Sequence, residues 1–146
     1  MNDRILIVGC GGLGGIVAGT LLEHAKSNEL PLDLTVLTTN TSVADTVNAR
    51  GFVLRGDGGA KTVAGKMVTA LSPHDSFGTI ILATQPPQVE DAARRVSPHL
   101  HESGKIVCLQ NGLCEERVAH IAPREQVVGA VVAWGGAMPE PGVYDR

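Results

Sequence analysis

Glycines recur at fixed spacing close to the N-terminus of this chain. The stretch Gly9-Cys10-Gly11-Gly12-Leu13-Gly14 fits the pattern GxGxxG. In this pattern the first glycine permits a tight turn, the second lets a diphosphate approach the main chain, and the third lets a helix pack on a strand. Free N–H groups and the positive end of the helix dipole attract phosphates there. The stretch predicts a dinucleotide site, although the same glycines could serve only as a packing turn.

The segments on either side of the glycines support the first interpretation. Residues 4–8 form a short run that is apolar after Arg4 and rich in β-branched side chains, which is typical of a strand buried on both faces. From about Leu13 onward, the apolar residues follow the spacing of one helical face. The glycines therefore link a buried strand to a helix, which is the context that phosphate binding requires.

The rest of the chain alternates between predicted strands and helices. Strands are predicted at 34–37, 52–54, 61–67, 79–83, 105–109 and 127–133, and helices at 42–50, 89–100 and 115–120. This βαβα alternation predicts an α/β fold of the Rossmann type, with a doubly wound, mostly parallel sheet in one dinucleotide-binding domain over residues 1–146.

The end of the chain carries a separate expectation. Residues 143–146 begin like a strand after a Pro-Gly turn, and the sequence offers this strand no evident partner. An unpaired terminal strand is a liability for a natural domain. We therefore expect the chain to be a fragment of a longer enzyme that continues for about 150 mostly helical residues.

The residues after the second predicted strand bear on the choice of dinucleotide. NAD sites place an Asp or Glu here to hold the ribose hydroxyls, whereas this chain has Thr38, Thr39, Asn40 and Thr41. No carboxylate would repel a 2′-phosphate, and hydroxyl and amide groups can donate hydrogen bonds to it. These residues favour NADP (NADPH) over NAD, although they could also form an ordinary polar loop and helix cap.

Asn111 is a further candidate. Asn111-Gly112 follows the predicted strand at 105–109, and ligands bind at the carboxyl ends of strands in doubly wound sheets. A carboxamide both donates and accepts hydrogen bonds, which suits a nicotinamide or a ribose. A simple Asn-Gly turn explains the pair equally well.

Composition excludes several classes of function. The net charge of −3 gives no electrostatic basis for binding nucleic acid or an anionic membrane. Residues 5–22 are uncharged but too rich in glycine for a good membrane span. Three cysteines without a CxxC pair fit reduced thiols in the cytoplasm. His99, His101 and Glu102 lie at a predicted helix end, and we expect no metal site there.

Taken in order, four segments resemble the N-terminal domain of ketopantoate reductases (2-dehydropantoate 2-reductases). They are the glycine stretch, residues 79–92, Gln110-Asn111-Gly112-Leu113 and residues 129–136. The resemblance covers nearly all of this chain but only about the first half of such an enzyme. It implies NADPH-dependent reduction of a 2-keto acid, 2-dehydropantoate to pantoate, in pantothenate biosynthesis.

The resemblance also implies roles for particular residues. The glycine stretch would hold the diphosphate, Thr84 and Gln85 would contact the cofactor, and Asn111 would lie near the nicotinamide ribose and the substrate. The backbone at Trp134 and Gly135 would face the nicotinamide. The family often has a basic residue just after the second strand, where this chain has Thr38 to Thr41. It also often has a lysine after the fourth strand, where this chain has Gln85-Pro86.

The resemblance places the catalytic lysine and a substrate-binding glutamate in a helical C-terminal domain, so no catalytic residue is expected in this chain. Any homodimer would form through that domain. Alone, the chain should bind NADPH weakly and be inactive. Two other hypotheses remain open: the cofactor domain of an opine or 3-hydroxy acid dehydrogenase, and a non-catalytic dinucleotide-sensing module.

Overall fold

The computed structural model describes residues 2–146, which form two β-sheets with helices between and outside them. The strands are β1 (Ile5–Val8), β2 (Leu34–Leu37), β3 (Phe52–Gly56), β4 (Gly59–Val63), β5 (Lys66–Val68), β6 (Phe77–Leu82), β7 (Leu100–Cys108), β8 (Val127–Gly129), β9 (Ala137–Glu140) and β10 (Val143–Asp145). The α-helices are α1 (Gly12–Ser27), α2 (Thr41–Arg50), α3 (Val89–Val96) and α4 (Cys114–Val118).

The larger sheet has six strands in the order β5-β2-β1-β6-β7-β8, and every neighbouring pair is parallel. In this sheet the chain adds β2 and then β5 on one side of β1. It then crosses over and adds β6, β7 and β8 on the other side of β1. The switch point of the sheet, where a doubly wound fold binds its ligand, therefore lies between β1 and β6.

Hydrophobic residues cover both faces of this sheet. Leu6 and Val8 of β1 pack in one core with buried residues of α3 and α4, whereas Ile7 packs in a second core with α1 and α2. A strand with a core on each face must be apolar at successive positions, which explains the continuous apolar run of β1 at 5–8. The predicted Rossmann-type α/β fold is confirmed.

The smaller sheet has the order β4-β3-β10-β9, so the prediction that the strand beginning at residue 143 has no partner was wrong. That the chain is part of a longer enzyme stays a prediction. β10 pairs in parallel with β3 and antiparallel with β9, and the side chain of Tyr144 is fully buried. The sequence did not reveal these partners for two reasons. β3 lies about 90 residues earlier in the chain, and β9 contains Pro139, a residue that argues against a strand in a local sequence pattern. β10 therefore lies inside this sheet, between β3 and β9.

Other boundaries also differ from the sequence-based predictions. Residues 61–67 belong to two strands, because β4 closes a hairpin with β3 while β5 pairs with β2 in the larger sheet. The helix predicted at 89–100 ends at Val96, two residues before Pro98, and Leu100 already begins β7. The strand predicted at 127–133 is only Val127–Gly129 and is largely exposed.

Candidate functional site

A cleft of about 440 Å³ opens at the switch point of the larger sheet. Its walls come from the carboxyl ends of β1, β2 and β6 and from one face of α3. The lining residues are Val8, Gly9, Cys10, Gly11, Leu37, Thr38, Thr39, Ala83, Thr84, Gln85, Gln88, Asp91, Ala92 and Arg95. This volume lies within the range of about 300–1,000 Å³ that is typical of small-molecule sites.

The glycines between β1 and α1 occupy positions where side chains would not fit. Gly9 has φ +101°, and a Cβ there would lie 2.9 Å from the Ala83 carbonyl oxygen. A Cβ on Gly14 would overlap the carbonyl of Gly9, and one on Gly12 would overlap the carbonyl of Gly136. The close packing of the turn therefore requires glycine at these three positions.

Gly11 differs from these three glycines. A Cβ on Gly11 would meet no heavy atom within 4 Å, and its backbone is extended, with φ −69° and ψ −169°. Neither packing nor conformation therefore demands glycine here. Gly11 faces the cleft, so its lack of a side chain leaves open space in front of the main chain.

The N-terminus of α1 points its free amides at this space. Gly11 is the N-cap, no side chain caps the helix, and no acidic residue lies in its first turn. The first N–H groups of a helix lack intrahelical partners and carry partial positive charge. This 16-residue helix therefore presents uncompensated donors beside the cleft, which suits an anionic ligand.

Thr38 and Asn40 form an ordered corner after β2. The Cys10 thiol and the backbone N–H of Asn40 both donate to the Thr38 hydroxyl oxygen, over 2.9 and 3.0 Å. Because both acceptor positions are used, the hydroxyl can only donate its proton to another group. Asn40 itself caps α2 by accepting a hydrogen bond from the Val43 amide, and it does not line the cleft.

Cys10 supports this corner as a neutral thiol. Burial is the largest influence on its pKa and raises it. A thiol that stays protonated is a poor nucleophile. Cys10 therefore packs beside β1 and donates to Thr38.

Gln110 joins the ends of β6 and β7; the sequence named it only within the segment 110–113 and predicted no role for its side chain. Its Nε2 donates to the carbonyl and hydroxyl oxygens of Thr84, over 3.0 and 3.2 Å. The side chain is buried, and its Oε1 has no hydrogen-bond partner among residues 2–146. A buried unpaired acceptor is costly, so a donor from a ligand or water at this end of the sheet would stabilise it.

Asn111 does not face the cleft. Its Nδ2 donates to the Val132 carbonyl, and its Oδ1 accepts from the Val132 amide, over 3.2 and 3.3 Å. Both ends of the carboxamide thus hold the loop after β8. Gly135 lies further along that loop, and a Cβ there would meet no heavy atom within 4 Å. The next residue, Gly136, packs on the start of α1.

The structure therefore gathers only part of the predicted site. Gly9, Cys10, Gly11, Thr38, Thr39, Thr84 and Gln85 line one cleft, whereas Gly12, Leu13, Gly14, Asn40, Asn111 and Gly135 lie outside its walls.

The face of α3 in the cleft was not predicted. Gln88, Asp91 and Arg95 follow one another at helical spacing and line the cleft, while Val89, Ala93 and Val96 are buried. The polar stripe beside the apolar one in 88–96 was the available signal.

His99 and His101 do not come together at a common site. His99 Nδ1 lies 2.9 Å from the Asp75 carbonyl oxygen, and His101 Nδ1 lies 2.8 Å from the Ser103 hydroxyl. Within residues 2–146, no group of three His, Cys, Asp or Glu side chains is arranged to hold a metal ion. No helix among these residues is long and apolar enough to cross a membrane.

An ion pair between Glu90 of α3 and Arg117 of α4 makes stability depend on pH. The Arg117 hydrogen bonds lower the pKa of Glu90 below its ordinary value of 4.5. A carboxyl with a depressed folded-state pKa stabilises the fold above its unfolded pKa, and this contribution is lost as pH falls through the folded pKa. We expect Glu90→Gln to lower the urea midpoint near neutral pH and to reduce the further drop on acidification.

The comparison is urea unfolding at about pH 7 and about pH 3. Glu102→Gln is the matched control, because Glu102 is exposed and forms no salt bridge in the described part of the chain. If wild type and Glu90→Gln lose equal stability on acidification, the ion pair between Glu90 and Arg117 is not a source of the pH dependence.

Comparisons with known proteins agree with this architecture. The curated protein "Uncharacterized oxidoreductase YkpB" of Bacillus subtilis (strain 168) is 26% identical over 140 residues, which is 95% of this chain and 44% of that protein. The solved 2-dehydropantoate 2-reductase from Porphyromonas gingivalis W83 has a TM-score of 0.85 at 20% identity, covering 99% of this chain and 51% of that one.

A second solved 2-dehydropantoate 2-reductase, from Geobacter metallireducens GS-15, has a TM-score of 0.82 at 24% identity, covering 97% of this chain and 45% of that one. A structure of D-mandelate dehydrogenase with NADH and anilino(oxo)acetate has a TM-score of 0.84 at 19% identity and the same two coverages. The chain thus spans about half the length of the proteins that it matches.

The sequence profile of one family covers almost the whole chain. It is described as "Ketopantoate reductase PanE/ApbA" and matches residues 5–146. The match includes the glycine turn, the cleft and the terminal strand. The chain belongs to the ketopantoate reductase PanE/ApbA family of oxidoreductases.

Proposed function

We propose that this chain binds NADPH as the cofactor-binding part of a reductase that acts on a 2-keto acid. One observation carries the proposal: at the switch point, Gly11 leaves open space in front of the uncapped N-terminus of α1. The diphosphate would accept hydrogen bonds from the first amides of α1, where the helix dipole favours negative charge.

The residues around the cleft fit a bound dinucleotide. Gly9, Gly12 and Gly14 keep the turn tight, whereas Gly11 is the one glycine of these four with unfilled space, as expected where a ligand meets the main chain. Thr38 can donate from the end of β2, where the adenosine ribose would lie. When bound, NADPH supplies a hydride; the residues of this chain bind and orient it.

We propose 2-dehydropantoate, reduced to pantoate, as the substrate. The family match and the names of the solved relatives support this choice. None of the cleft residues is assigned as the proton donor, because the cleft contains no lysine or histidine. The three free cysteines in the structure also support a reducing compartment such as the cytoplasm.

An NADH-dependent reductase of another 2-keto acid is the second candidate. No basic residue follows β2, and the similar D-mandelate dehydrogenase structure contains NADH. In that case Thr38 and Thr39 would face ribose hydroxyls instead of a 2′-phosphate.

Calorimetric titration of the chain with NADPH and NADH, in parallel and at one ionic strength, distinguishes these candidates. We expect NADPH to bind at least about 10-fold more tightly, because one hydrogen bond to a charged group contributes about 1.5–3 kcal/mol. Equal affinities, or tighter binding of NADH, would reject NADPH as the preferred cofactor. Absence of binding by both would reject the proposed function.

A further inference from the structure

Arg95 on α3 is a cation in the cleft that has no assigned role. It lines the same cleft as Thr38 and Thr39, although it lies almost 60 residues later in the sequence. α3 brings it there because the cleft-lining residues 88, 91, 92 and 95 lie along one side of the helix, next to the buried stripe. A basic residue thus reaches the cleft without standing in the loop after β2.

Hydrogen bonds place the Arg95 guanidinium close to the end of β2. Its Nη2 donates to the Thr69 carbonyl oxygen over 2.7 Å. Val68, the residue before Thr69, accepts a hydrogen bond from the Thr38 amide over 3.0 Å. Successive Cα atoms lie about 3.8 Å apart, so the guanidinium is anchored beside the corner formed by Thr38.

The charge of Arg95 is available to a ligand. Within residues 2–146, Arg95 takes part in no salt bridge, and only one of its donors is used by the Thr69 carbonyl. The other charged residue of the cleft, Asp91, lies 3.5 Å from Arg94, and its side chain is 92% exposed. The guanidinium therefore retains donors for a phosphate, which it can bind through two parallel hydrogen bonds.

We propose that Arg95 binds the 2′-phosphate of NADPH and thereby selects NADPH over NADH. This inference rests on the proposed function, since it needs a dinucleotide whose adenosine ribose lies at the end of β2. It assigns to α3 the cation that the loop after β2 lacks. Thr38 contributes a hydroxyl donor to the same group.

The test is calorimetric binding of four probes: NADPH, NADH, adenosine 2′,5′-bisphosphate and adenosine 5′-monophosphate. For Arg95→Gln we expect the affinities for NADPH and the bisphosphate to fall about 10- to 100-fold, the range for hydrogen bonds to a charged group. The affinities for NADH and the monophosphate should stay unchanged. Arg95→Lys should recover part of the loss, because it keeps the charge without the planar fork.

Arg94→Gln is the matched control. It removes the same charge from the neighbouring position of α3, but Arg94 does not line the cleft and instead faces Asp91. We expect this variant to bind all four probes like wild type.

Two results would overturn the inference: an Arg95→Gln variant that keeps its preference for NADPH, or one that loses NADPH and NADH equally. Either result would leave the proposed function standing, since wild type would still bind a dinucleotide. If wild type binds neither NADPH nor NADH, the proposed function fails and the inference fails with it.

Discussion

Replacing Gly11 by valine is expected to weaken NADPH binding by about 100-fold or more while the fold persists. A Cβ at Gly11 meets no protein atom within 4 Å, and the extended backbone there accepts a branched residue. The new methyl groups would occupy the space in front of the α1 amides. Two lost hydrogen bonds to a charged ligand, at about 1.5 kcal/mol each, correspond to about 100-fold in affinity.

Thermal unfolding and calorimetric titration together separate ligand exclusion from misfolding. Valine is a poorer N-cap than glycine, so a loss of about 1 kcal/mol in unfolding free energy is expected. Gly58→Val is the matched control, because Gly58 also has open space at its Cβ position but lies in the turn between β3 and β4. Wild-type affinity in folded Gly11→Val would show that no phosphate lies against Gly11.

Truncating Tyr144 to alanine should destabilise the chain by about 3–5 kcal/mol, the range for removal of a large buried aromatic side chain. Its ring is fully buried and packs against Phe52, with centroids 5.9 Å apart. Gly15 of α1 lies so close that a Cβ there would overlap the ring. The ring thus joins the smaller sheet to the helix that carries the glycine turn.

Tyr144→Phe measures how much the hydroxyl alone contributes to the unfolding free energy. The hydroxyl donates to the Cys10 carbonyl over 3.1 Å, so its loss should lower the unfolding free energy by about 1 kcal/mol. Urea unfolding measures both variants, and Tyr144→Phe remains informative if the alanine variant does not fold. Wild-type stability in Tyr144→Ala would contradict the role of β10 in the smaller sheet.

Local patterns in the sequence predicted the features that depend on neighbouring residues. The apolar run of β1, the glycine turn and the start of α1 are contiguous, so their spacing alone predicted the strand, the turn and the helix. The strand at 52–54 and the start of a strand near 61 were predicted for the same reason, and the structure pairs these segments as the hairpin of β3 and β4.

Features that depend on distant residues were not predicted. β10 was interpreted as unpaired because its parallel partner β3 lies far back in the chain. Arg95 comes close to the end of β2 only through the packing of α3. Gln110 donates a hydrogen bond to Thr84 from the end of β7 to the end of its parallel neighbour β6. Asn111 was correctly placed after β7, but spacing could not show that its carboxamide is already bonded to Val132.

Protein-observed NMR titration of the chain with NADPH tests the central claim most directly. If the diphosphate binds at the glycine turn, the backbone amide resonances of Gly11, Gly12 and Leu13 should shift saturably, with a common dissociation constant. Resonances of the turn between β3 and β4 should stay in place. Saturable binding that leaves the three amides unmoved would contradict the account.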